Sequence, residues 1–236
     1  MSQPFVSGLP GIRTTVTATP RVVFKQLSEA DLAGGGIISG AASRDPGNTG
    51  DLGVLRPGLL MGKITASGKF APAIVGVTSG SYTSGGTTLT VSAAVATELD
   101  RLVGQSGTAE LICVGPPSAA GTVAATAFDH SAINTTTGDI TVTSLGVNKI
   151  AGSFICVNDG RYVPLTVIPD GFGINVLSSQ DNSTSQDQYF SMLPVGGVLI
   201  SENLLPTWPS DTSLQAWINT QLNTYGKFVM DHGYYA

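Results

Sequence analysis

Apolar and polar positions alternate in short runs over most of the chain and settle into a helical period twice. TTLTV (87–91), TAELICV (108–114), TVAATAF (122–128), DITVTSL (139–145), SFICV (153–157) and PLTVI (164–168) read as strands, rich in β-branched residues and bounded by turn chemistry such as NTTTGD (134–139). In SAAVATELDRLVG (92–104), Val95, Leu99, Leu102 and Val103 share one helical face, with Ser92 placed as N-cap and Gly104 past the end. In DTSLQAWINTQLNTYG (211–226), Leu214, Trp217, Ile218, Leu222 and Tyr225 form one apolar stripe closed by Gly226. Pro209 sits just ahead of that stripe, and Asp211 suits its first turn. LRPGLLMGKITASGKFAPAI (55–74) reads as two strands around Ala66-Ser67-Gly68, where Gly68 supplies positive φ and Pro72 limits pairing of the second strand. SMLPVGGVLIS (191–201) reads as a strand interrupted by glycines. The pattern predicts a mainly β protein with a minor helical part.

Three regions differ in pattern. Residues 1–50 lack a continuous core pattern. TTVTATPRVVF (14–24) carries β-branched residues on either side of Pro20, and GGG (34–36) and SRDPGNTGD (43–51) are loop chemistry. This region is expected to be an extended arm that orders on a partner. Residues 78–159, flanked by TSGSYTSGG and NDG, are expected to form a separate β-rich unit carrying the first helix. That leaves 51–77 and 160–236 as a discontinuous core.

Charge changes the picture toward partners. Only 11% of the 236 residues are charged, against roughly 25% in an average soluble domain. The net charge is −5 and no basic run is present, which argues against direct nucleic-acid binding. The N-terminal MSQPFVSGLPGIR lacks the apolar core of a signal peptide, and no apolar run is long enough to span a bilayer. Synthesis in the cytoplasm, no membrane partner and reduced core thiols at Cys113 and Cys156 are the expectations.

Candidate chemistry is sparse. His130 and His232 lie far apart with no second ligand in view, so neither a metal nor a general base is assigned. GVTSG (76–80) has the wrong spacing for a nucleophile elbow, and GGGIISG (34–40) lacks the strand–loop–helix frame of a phosphate loop. Glu98 and Asp100 fall on the polar face of the first helix, where solvation is the expected environment. No catalytic, cofactor-binding or metal-binding residue is assigned, and an enzyme is not expected.

GLLMGKITASGKFAP (58–72) resembles the signature hairpin of tailed-bacteriophage head decoration proteins, the family of the lambda decoration protein D. Gly62, Lys63, Ile64, Thr65, Gly68, Lys69, Phe70 and Pro72 occupy the places of that motif. LPVGGVLISENLLPTWPSDTSLQAW (193–217) is similar to the family's closing block, with Gly196, Gly197, Trp208 and Pro209 in the matching places. The resemblance implies a small β-barrel or β-tulip-like core with a C-terminal helix. It implies a structural protein of the virion exterior that binds the major capsid protein on expanded heads as a homotrimer and stabilises them. The arm would then add a strand to the capsid protein's sheet, with Thr14, Thr15, Val16, Thr17, Val22, Val23 and Phe24 as its contacts. The departure from the family is the long 78–159 unit. An alternative reading makes that unit a surface-displayed module for host glycans or proteins.

Overall fold

The computed structural model describes residues 22–27, 36–48, 51–106, 109–114, 123–128, 130–169, 173–177, 184–190, 196–200, 203–205 and 212–231. In chain order the strands are β1 (Phe24–Leu27), β2 (Gly36–Ile38), β3 (Val54–Leu55), β4 (Leu60–Lys63), β5 (Phe70–Pro72), β6 (Gly76–Val77), β7 (Thr88–Thr90), β8 (Ala109–Val114), β9 (Val123–Phe128), β10 (Asp139–Thr141), β11 (Phe154–Val157), β12 (Pro164–Val167), β13 (Ile174–Asn175), β14 (Gln188–Phe190), β15 (Gly197–Ile200) and β16 (Phe228–Asp231). Helix α1 (Ala93–Ser106) follows β7, and α2 (Thr212–Gly226) precedes β16.

These strands form five open sheets, so the mainly β expectation holds. None of the sheets closes into a barrel among the described residues, which corrects the barrel-like core. The largest has the order β12-β4-β5-β2-β14, and a four-stranded sheet runs β6-β11-β8-β9. A third sheet, β1-β15-β16, pairs β15 antiparallel to β1 and parallel to β16. Strands of two to four residues predominate, too short to carry a legible period of their own. This is why the sequence pattern missed β2, β3, β6, β13, β14 and β16.

The helices follow their apolar stripes. Val95, Leu99, Leu102 and Val103 are buried, and the Ser92 hydroxyl accepts the Val95 amide, the N-cap bond that the first helical turn requires. Gly104 lies inside α1, which runs on to Ser106, so it does not mark the C-terminus. In α2, Leu214, Ile218 and Leu222 are buried and Trp217 is half-buried, while Tyr225 is exposed at the end of the stripe. Gly226 is the last helical residue, pressed so close that a Cβ would lie 2.5 Å from the Leu165 carbonyl oxygen. The left-handed position after the helix falls to Lys227, at φ 60°.

Two apolar clusters flank the largest sheet. Leu60 and Val167 face one cluster, while Met61, Phe70 and Ile38 face the other together with Leu55, Leu59, Ile168, Val176 and Leu205. Burial on both faces is why β4 reads as a continuous apolar run instead of alternating. The first cluster joins Leu60, Ala73 and Val75 to Leu99 and Leu102 of α1, Phe154 of β11 and Leu214 of α2. The Phe154 and Trp217 rings lie 4.9 Å apart. The described part of the 78–159 stretch thus belongs to the same apolar cluster as residues on both sides of it.

The expected arm is also absorbed where it is described. Val23, Phe24 and Ile38 are buried, and Phe24 packs its ring 6.2 Å from that of Phe228. Asp45, almost wholly buried, accepts two hydrogen bonds from the Arg56 guanidinium, at 2.6 and 2.9 Å. The short apolar run at 22–24 leads into the edge strand β1 and that at 36–38 forms β2 between β5 and β14, roles that a run of two or three residues does not announce.

Candidate functional site

The family-motif residues come together in one hairpin. β4 and β5 pair antiparallel, with Met61 opposite Pro72, Gly62 opposite Ala71 and Lys63 opposite Phe70. The turn closes through Ile64 N–H to the Lys69 carbonyl and Gly68 N–H to the Ile64 carbonyl, with Gly68 at φ 71°. Gly62 is required for a different reason. A Cβ there would lie 1.7 Å from the Arg161 carbonyl oxygen, so the 161–163 backbone can cross β4 only over a glycine. Lys63 and Thr65 project to solvent, and Ile64 is half-buried. Lys69 reaches Asp187 at 2.5 Å, and that hydrogen bond, foremost, holds the Asp187 carboxyl below its ordinary value. Phe70 and Pro72 point into the body and are buried. At the tip, Thr65 N–H donates to the Asp159 carbonyl at 2.8 Å, joining the hairpin to the 158–161 loop.

The closing block is described in part. Gly196 and Gly197 adopt φ 82° and 119°, and the Gly196 amide donates to the Gly226 carbonyl, tying the start of β15 to the end of α2. Trp208 and Pro209 lie outside the described residues. So do Thr14, Thr15, Val16 and Thr17 of the expected capsid contact. Val22 is 56% exposed, but Val23 and Phe24 are core residues and cannot also be presented to a partner surface. The contact therefore loses those two side chains.

The densest chemistry lies where sequence reasoning did not look. Loop 39–45 leaves β2, and three guanidiniums reach its backbone carbonyls. Arg44 donates to the Gly40 and Ser43 carbonyls at 2.7 and 2.6 Å and to the Ser185 hydroxyl. Arg101 of α1 donates to the Ala41 carbonyl, and Arg161 to the Ala42 carbonyl at 2.8 Å. Glu98 holds Arg101 in a two-pronged pair at 2.6 and 2.7 Å, and Asp159 holds Arg161 likewise. Glu98 is only 6% exposed, which corrects the solvated-face expectation. Its position three residues before Arg101 places both on one side of α1, a pairing readable from the sequence; its burial was not.

Electrostatics follow from that burial. Desolvation raises the Glu98 carboxyl above its ordinary range, against the pull of Arg101, Arg44 and Arg161. Burial and the neighbouring Arg101 charge lower the Arg44 guanidinium. Burial also works against charge on Arg161, but hydrogen bonds and attraction from Asp159 more than offset it, so its value rises. Cys156 is a free thiol with no exposed surface, pushed up to about 12 chiefly by burial. Both carboxylates of the cluster are engaged by their own arginines, so it is built to hold chain segments together. The Cys113 side chain, Asp129, His232 and the His130 side chain lie outside the described residues.

Among the described residues, no group of three or more His, Cys, Asp or Glu side chains could hold a metal, and no helix is long and apolar enough to cross a membrane. The chain matched no protein-family model, no curated protein and no solved structure.

Proposed function

We propose that this chain is a structural virion protein that binds the outer surface of the expanded capsid of a tailed bacteriophage and stabilises it, without catalysis. The observation that carries the reading is the hairpin. The Gly-Lys-Ile-Thr and Gly-Lys-Phe-Ala-Pro residues that resemble the decoration-protein motif lie on directly paired strands, at the centre of the largest sheet. Two of its glycines are explained by geometry, Gly68 by its turn and Gly62 by the backbone crossing it.

In this reading the major capsid protein and further copies of the chain, as a trimer on the lattice, are the partners. The contact is made by the segment ahead of β1, with Thr14–Thr17 pairing to an edge of the capsid protein's sheet and Val22 at its root. The low charge density suits a protein that buries much of its surface in neighbours.

The test mixes the purified chain with expanded and unexpanded heads of a parent phage lacking it and measures co-sedimentation. Saturable binding to expanded heads alone is expected. Removal of residues 1–20, which spares β1, should abolish binding while leaving the thermal transition in place. Absence of binding by the intact chain to either kind of head overturns the reading. Binding that survives the truncation overturns the arm contact alone.

A further inference from the structure

We propose that residues 39–45 are a releasable strap, held closed by guanidinium–carbonyl bonds from Arg101 and Arg161 and able to open locally while the core stays folded. The strap has little backbone bonding of its own. Its ends are tied by Ser39 N–H to the Phe70 carbonyl and Asp45 N–H to the Leu52 carbonyl. Between them, among the described residues, no amide from Gly40 to Arg44 bonds to a backbone carbonyl. The Gly40 amide is held by the Asp187 carboxylate and the Ala42 amide by the Ser39 hydroxyl. The carbonyls are held by arginines, two of which stand 60 and 119 residues away along the chain.

The closed state also carries a built-in cost. The Ser43 hydroxyl is buried without a hydrogen-bond partner. Gly40 is pressed against residue 186 so closely that a Cβ would lie 2.1 Å from the Gln186 carbonyl oxygen. An element fixed by side chains from elsewhere, and carrying a buried hydroxyl without a partner, belongs to the low-stability end of a fold. Arg101 stands on α1, inside the 78–159 stretch, and Arg161 lies just beyond it, paired to Asp159 at its end, so both clamps tie the strap to that stretch or its border.

The test uses the full chain and amide hydrogen exchange at Gly40 and Ala42, with Cys156 and Leu222 as core references. The double variant Glu98→Leu/Arg101→Met replaces a desolvated ion pair by apolar side chains of similar size, a change that leaves a core as stable as before or more so. Exchange at Gly40 and Ala42 should rise about tenfold, the effect of losing one charge-assisted hydrogen bond, while the core references and the melting temperature hold. Arg101→Lys keeps the charge and loses the planar fork, and gives the same local reading if the double variant does not fold. Unchanged exchange at both amides in the folded variants would mean that the Arg101 bond does not hold the strap closed. Acceleration only in step with Cys156 and Leu222 would mean that it never opens separately. Either result overturns the proposal.

Discussion

At the scale of single residues, burial decides what the ionisable groups do. Cys156 has no exposed surface and a thiol pushed up to about 12, so almost no thiolate exists at neutral pH to react. In a Cys113→Ser background, which isolates Cys156, an aromatic disulfide reagent at pH 8 should leave the native protein unmodified and react fully once denaturant is added. Prompt native-state reaction would contradict its placement between β6 and β8. Glu98 gives a pH prediction whose sign follows from its raised value. A carboxyl raised above its unfolded value favours folding in its protonated form. That contribution is complete below the unfolded value and disappears as pH rises through the folded one. Glu98→Gln removes the dependence. Wild type should therefore gain stability relative to Glu98→Gln as pH falls from 7 to 4, read by urea denaturation at each pH. A difference that shrinks instead would mean that attraction to Arg101 outweighs burial.

At the scale of elements, the chain ends its last helix with an unusual choice. Lys227 sits at φ 60°, a left-handed conformation that costs a side-chain-bearing residue on the order of 1 kcal/mol. Its ammonium bond to the Thr224 carbonyl, exposed to solvent, returns little. Lys227→Gly should stabilise the fold by about 1 kcal/mol in chemical denaturation, and a loss of stability would show that the lysine contact outweighs the strain. The same helix marks what was legible in the sequence. Both helices could be read because ten or more residues repeat one period, and the β4–β5 hairpin because Gly68 and its neighbours spell out a turn. The strap and its clamp could not be read. They depend on Arg101 and Arg161 meeting Ala41 and Ala42 across long stretches of chain, and no local spacing encodes that meeting. Gly226 shows the same limit from the other side. It looks like a helix stop, yet it is glycine because Leu165 and Phe228 press on it.

At the scale of the whole molecule, the question is whether the 78–159 stretch is a removable addition. Its ends meet, since Thr78 N–H donates to the Ser153 carbonyl at 2.8 Å and Gly152 N–H returns to the Thr78 carbonyl at 2.7 Å. Replacing 79–152 by a short turn would therefore not strain the backbone. The obstacle is the core. Ala73, Ile74 and Val75 on one side of the junction, and Phe154, Val167 and Leu214 on the other, belong to the same apolar cluster as Leu99, Leu102 and Val103 of α1. Gly76 is packed against Val95 so tightly that a Cβ would lie 2.3 Å from that side chain. Excision would expose this surface at about 25 cal/mol for each Å² returned to water, against about 0.6 kcal/mol gained for each halving of the loop. The intact chain is expected to unfold in one calorimetric transition, with both regions melting together. The excised chain is expected to lose cooperative unfolding. An excised chain that still melts sharply, within about 1 kcal/mol of wild-type stability, would show that the continuous cluster is two cores in contact.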